Sequence, residues 1–204
     1  PYAFVEKKNR ELLKLHYGNL MNTLPLFAEI SAQLTVNFLD DANTDGDFPY
    51  NLFPLDNATN GGYVRPGGGP NDAAKYVVDT ASYDFFKNLK AAALVLNKTD
   101  AIIAGTEMGG FDTHNNQGQL AGTHPSRMRR IGWALYALRK YFASHAEKVN
   151  WNNLVVITLS EFGRTTVENS NLGTDHAEAS LMWVAGGSLR GYNGTDRSGV
   201  FGRL

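Results

Sequence analysis

The chain has 204 residues, 43% of them hydrophobic and 19% charged, the make-up of one globular domain long enough to bury a real core. A net charge of -1 offers no electrostatic footprint for nucleic acid or an anionic membrane, and no apolar run approaches the ~20 residues of a membrane span. Cysteine is absent, so disulfides and thiolate metal sites are excluded, and any metal must be held by His, Asp or Glu.

The chain opens at Pro1 and stops at Gly202-Arg203-Leu204, just past a glycine-rich stretch, which is what a segment of a longer protein would look like. Residues 1–99 read as a helical and long-loop portion, and residues 100–204 as a strand-helix-strand portion of the same domain. In residues 2–40, Phe4, Leu12, Leu13, Leu15 and Leu20 recur at helical spacing. Gly18 and Pro25 mark a bend or break. A second helix is expected over 24–39, with Leu24, Phe27, Ile30, Leu34 and Phe38 on one face, so that two helices cover a core.

Residues 40–72 form a long loop holding four of the seven prolines. Within it, Asp41, Asn43, Asp45 and Asp47 alternate around Gly46, matching the first half of a calcium loop. Leu52 stands where the bidentate Glu of such a loop belongs. The stretch is therefore either an additional calcium site or a solvated Asp/Asn/Gly turn.

Helical spacing returns with Tyr83, Phe86, Leu89, Ala93 and Leu96, after Asn71 or Asp72 as a cap. Ala101-Ile102-Ile103-Ala104 reads as a short buried strand. Pro125 sits in the first turn of the clearest helix, whose stripe is Met128, Ile131, Leu135, Leu138 and Phe142, with Arg127, Arg129, Arg130, Arg139 and Lys140 mostly facing out. Residues 153–159 are the strongest strand, and strand, helix, strand in this order predicts a right-handed parallel crossover. Leu181 to Ala185, closed by Gly186-Gly187, reads as a third strand.

Three clusters could carry chemistry. Gly109-Gly110-Phe111-Asp112-Thr113-His114 sets a carboxylate and an imidazole two residues apart after a flexible turn; the pair either reaches one cation or is an Asx turn with an exposed histidine. His124 is a spare ligand or a helix-start residue. In Ser160-Glu161-Phe162-Gly163-Arg164-Thr165 the acid follows a strand and is costly there unless paired. Glu161 either pairs with Arg164 or binds metal, leaving Arg164 to hold an oxyanion through two parallel donors. Ser160 lacks the surroundings of a nucleophile elbow. Gly173-Thr174-Asp175-His176 adds an oxygen and a nitrogen ligand. Asn57, Asn97 and Asn193 begin glycosylation triplets, which are short enough to arise by chance.

The runs 109–117, 160–165 and 173–176, in this order and spacing, resemble the domain of unknown function 1501 family, an exported bacterial family related to the alkaline phosphatase/sulfatase superfamily. The resemblance covers about residues 100–204 and little of 1–99, and Ala177 stands where the family usually has Gly. It implies an α/β fold, an alkaline-phosphatase-like α/β/α sandwich with a mostly parallel sheet. It also implies a divalent two-metal site (zinc, manganese or calcium) at the strand ends, and a periplasmic or extracellular location. By this likeness Asp112, His114 and His176 share one metal, Glu161 serves the second, and Asp175 serves either or orients His176. Arg164 is then the catalytic group that neutralises the transferred oxyanion. The implied activity is metal-dependent hydrolysis of small phosphate or sulfate esters. The superfamily's nucleophile and amino-terminal Asp ligand have no match in residues 1–99. They are expected upstream of Pro1, or the chain is an inactive exported binding or structural protein that keeps the fold.

Overall fold

The structure is a computed structural model that describes residues 2–40, 50–54, 80–119 and 122–190. Helix α1 runs over Tyr2–Leu34, α2 over Thr80–Lys98 and α3 over Thr123–Ser144. Short strands are β1 (Leu39–Asp40), β2 (Tyr50–Asn51), β3 (Val156–Ile157), β4 (Gly163–Arg164), β5 (His176–Ala177) and β6 (Val184–Ala185). No described helix is long and apolar enough to cross a membrane.

The core lies where the end of α1, α2 and α3 meet the β1–β2 ladder and the residues just after it. Phe38, Leu52, Phe53, Phe86, Leu94, Tyr141 and Phe142 are buried there. Phe38, Phe53 and Tyr141 pack edge to face with centroids 5.0 to 6.3 Å apart, the arrangement that the ring quadrupoles favour. Several polar groups inside this core are paired. Trp133 Nε1 donates to Leu52 O at 3.0 Å. Asn97 donates to Tyr141 Oη and His145 O, so the acceptor asparagine of that glycosylation triplet is buried. Tyr136 Oη donates to buried Asp40, which Lys140 also approaches at 3.2 Å.

The helices depart from their expected faces in instructive ways. α1 is one helix through both Gly18 and Pro25. Among its described side chains only those at its end enter the core, with Ile30 buried and Leu26 and Leu34 packed beside it. Leu12, Leu13, Leu15, Leu20, Leu24 and Phe27 stay exposed, so the expectation of two helices covering a core fails over most of that length. The buried stripe of α3 is Arg130, Trp133, Ala134, Ala137, Leu138, Tyr141 and Phe142. It shares Leu138 and Phe142 with the expected stripe but is rotated, with Arg130 inside rather than out. The α2 stripe holds, with Phe86, Leu89 and Ala93 buried.

The expected α/β/α sandwich is not formed. Among the described residues every strand pair is antiparallel and two-stranded, and there is no parallel sheet. Residues 101–104 form no ladder, and Ile102 and Ile103 are 91% and 84% exposed. The partner of β3 is instead β6, with Val156 opposite Ala185 and Ile157 opposite Val184. The chain returns by way of β4 and β5, which also pair antiparallel, with Arg164 opposite His176. A short reversal of this kind yields antiparallel neighbours, whereas parallel pairing needs a long crossover landing beside the first strand. An apolar run does not by itself specify which of these partners it takes.

The two ladders form one bent ribbon. Thr158 N donates to Trp183 O at 3.0 Å, and the hydroxyls of Ser160 and Ser180 are hydrogen-bonded. Six steps along one strand, from Ile157 to Gly163, face seven along the other, from Ala177 to Val184. With Arg164 also bridged to Ala179, the mismatch is taken up as a bulge around residues 177–179, a device that bends a ribbon and re-aims side chains. Arg164 N reaches past it to Ala179 O at 2.7 Å. A Cβ at Gly163 would lie 2.4 Å from Ala177 O, so only glycine lets the bulge cross there. The stretch of possible calcium ligands, Asp41, Asn43, Asp45 and Asp47, lies outside the described residues.

Candidate metal centre

The bend of the ribbon sets three chain segments side by side. The loop after residue 108 turns at Gly110, whose φ of 87° suits glycine, and then runs along residues 169–174. Backbone bonds stitch the two. Asn116 N donates to Asn171 O at 2.9 Å, Gln117 N to Leu172 O at 2.7 Å, and Thr174 N to Thr113 O at 3.0 Å. The seam is close, because a Cβ on Gly173 would meet His114 backbone carbon at 2.2 Å. A third segment, β4, is joined through Thr165 N to Asp175 O at 2.9 Å.

This seam converges Asp112, His114 and His176. Their ligand atoms all lie within 4.8 Å of one another. Asp112 Oδ1 is 2.8 Å from His114 Nε2 and 2.9 Å from His176 Nε2. The grouping of these three by resemblance therefore matches their placement. One carboxylate and two imidazoles are a donor set for a divalent transition ion, and three protein ligands leave a position open.

Asp175 supports the set from behind. His114 Nδ1 is 2.8 Å from Asp175 Oδ1. A carboxylate at that nitrogen keeps the proton there, which presents the Nε2 lone pair to the centre. That Nε2 faces the Asp112 carboxylate at 2.8 Å. The likeness has Asp175 on a metal or behind His176; its observed partner is His114. Asn169 holds Asp175 in turn, donating to Oδ1 at 3.1 Å and to His114 O at 3.0 Å.

Both acids are held ionised. The hydrogen bond from His176, then that from Arg164, lowers the Asp112 carboxyl below its ordinary 3.8. Hydrogen bonds from His114 and Asn169 do the same for Asp175.

Arg164 lies against the triad. Its Nη1 donates to Asp112 Oδ1 at 2.5 Å, its Nε to Thr174 Oγ1 at 3.0 Å, and its Nη2 to Thr174 O. A guanidinium has five N–H donors, so two remain beyond these three bonds. Phe162 stacks on His176 with centroids 4.1 Å apart and also lies under Arg164.

Glu161 is not brought into the triad. Its side chain is exposed and has no hydrogen bond or ion pair among the described residues. Ser160 is bonded to Ser180 rather than to a base. His124 is the second residue of α3, edge-on to Phe111 at 6.0 Å. Burial, then the charges of Arg127 and Arg164, lower its pKa. His16 is exposed on α1, while His145 packs on Phe38 and Tyr141.

Sequence reasoning did not assign roles to Phe162, Asn169 and Gln117. Phe162 and Gln117 lie inside the runs that carried the resemblance, which was the available signal. Asn169 had none, because its role is fixed by the fold of the turn.

A family model described as Protein of unknown function (DUF1501) matches residues 69–196, a span that contains every residue of this centre. No curated protein and no solved structure matches the chain.

Proposed function

The chain belongs to the DUF1501 family of proteins of unknown function, and from the geometry of its candidate centre we propose that it is a metal-dependent hydrolase of phosphate or sulfate esters. The observation that carries this reading is the convergence of Asp112, His114 and His176 on one point, with Asp175 2.8 Å from Nδ1 of His114. A divalent ion held there supplies Lewis acidity, polarising water and an ester oxygen.

The chain's own residues set the rest. Asp112 provides the negative oxygen ligand and is kept ionised by its neighbours. Asp175 holds Nδ1 of His114 and stops its ring from turning. Arg164 holds Asp112 in place, and its two remaining donors fit two oxygens of a tetrahedral oxyanion. Phe162 stacks on the His176 ring and limits its rotation. Export to the periplasm or beyond belongs to the same proposal and rests on the family likeness.

A second reading, a metal-holding protein without turnover, draws support from Arg164. Three of its five donors are spent on the protein itself.

Metal content and turnover test both. Purified protein equilibrated with zinc, manganese or calcium is expected to retain at least one ion per chain, and Asp112→Ala or His176→Ala to abolish that retention. Retention below one ion per chain, unchanged by either substitution, would end the metal reading. Turnover of a phosphate- and sulfate-ester panel by the loaded protein, absent in His176→Ala, favours the hydrolase. Retention without turnover favours the binding protein.

A further inference from the structure

Gln117 lies three residues after His114, and its side-chain oxygen ties together the two loops that bear the ligands. Thr113 Oγ1 donates to Gln117 Oε1 at 2.9 Å, and Thr174 Oγ1 donates to the same oxygen at 2.9 Å. Thr113 lies between Asp112 and His114 in the chain, and Thr174 lies two residues before His176. Both lone pairs of the amide oxygen are thereby filled. The chain of bonds continues outward, since Thr174 Oγ1 also accepts from Arg164 Nε at 3.0 Å, and Arg164 holds Asp112.

The Gln117 backbone is fixed on both sides. Its N–H donates to Leu172 O at 2.7 Å, and its carbonyl accepts from His124 N at 3.1 Å in the first turn of α3. One residue thus joins the loop of Asp112 and His114, the loop of His176, and the helix behind them.

We propose that Gln117 is a positioning residue of the metal centre, acting as a double hydrogen-bond acceptor that sets the spacing between its two ligand-bearing loops. The role needs an acceptor of this length and makes no use of the amide N–H2. Glutamate meets that requirement. Leucine does not, and it leaves two threonine hydroxyls without their acceptor. The inference rests on the metal reading given above, and the test separates the two.

Zinc affinity is measured by competition with a chromophoric chelator for the wild type, Gln117→Leu, Gln117→Glu and His176→Ala, alongside thermal melts of each protein without metal. Gln117→Leu is expected to bind zinc about 10–100-fold more weakly, the usual loss when a ligand's outer support is removed. Gln117→Glu should stay within about threefold of the wild type, on the same scale. Should Gln117→Leu fail to fold, Thr174→Val removes one of the two donors and is expected to weaken binding in the same direction. Unchanged affinity in Gln117→Leu, or in Thr174→Val where it takes its place, overturns the positioning role, as does equal loss in Gln117→Leu and Gln117→Glu. A wild type whose zinc uptake is nil, or is unaltered by His176→Ala, overturns the metal centre itself and the positioning role with it.

Discussion

Lys90 shows how far a single side chain is committed by its surroundings. It is buried in the middle of α2, and its Nζ donates to Leu34 O at 2.7 Å and to Val36 O, at the end of α1. A cation at a helix carboxyl end meets the negative pole of the dipole and satisfies carbonyls that the helix leaves open. Burial lowers its pKa from 10.5 to about 8. The folded chain therefore gives up this proton before the unfolded chain does. Below about pH 8 both states are charged; between about 8 and 10.5 the unfolded state holds more proton, so stability rises with pH across that window. Urea melts at pH 7.5 and 9.5 are expected to show the wild type gaining about 1–3 kcal/mol relative to Lys90→Met over that interval. Equal pH dependence in the two proteins would contradict it. The helical spacing around Phe86, Leu89 and Ala93 was readable in the sequence, whereas the buried lysine between them was not. Nothing in the local pattern says that another helix ends against it.

Among the elements, the bent ribbon matters most, because its bulge aligns Arg164 with His176 and so brings Asp112 under both. Gly163 is the element's weak point. An added methyl would sit 2.4 Å from Ala177 O and 2.6 Å from Glu178 C, and backbone on both sides leaves no flexible side chain to yield. Gly163→Ala is expected to cost about 1–3 kcal/mol, the usual range for overpacking, and to weaken metal retention along with it. Chemical denaturation and metal content of the same preparation check this. A variant as stable as the wild type would mean that the ribbon can straighten at no cost. The strand runs 153–159 and 181–185 were legible from their apolar residues, and each contributes a short ladder. Their mutual direction was not legible, since a run of Val, Ile and Leu pairs equally well either way until the connection chooses.

At the scale of the molecule, the described chain divides into a well-packed helical core and parts that stand clear of it. Most of α1 belongs to the second class: from Leu12 to Leu24 its large apolar residues are 50% exposed or more. Helix stability in water comes mainly from packing an apolar face. Amide hydrogen exchange is therefore expected to be fast over residues 6–22 and slow over α2 and α3, with the break near Ile30, where α1 enters the core. Protection of the whole of α1 at the level of α3 would refute that division. The sequence by itself singled out the residues from which the candidate centre is drawn, since Asp112, His114, Arg164, Asp175 and His176 all stand in its three motifs, with Glu161 beside them. It also determined the existence of α2 and α3, because helical periodicity is a local property of the chain. Only the tertiary structure decided that Asp175 backs His114, that Glu161 stays outside, and that the strands run antiparallel. Each of these depends on which segment lies beside which, and that is settled by contacts between residues some fifty or sixty positions apart, such as His114 with Asp175 and Arg164 with Asp112.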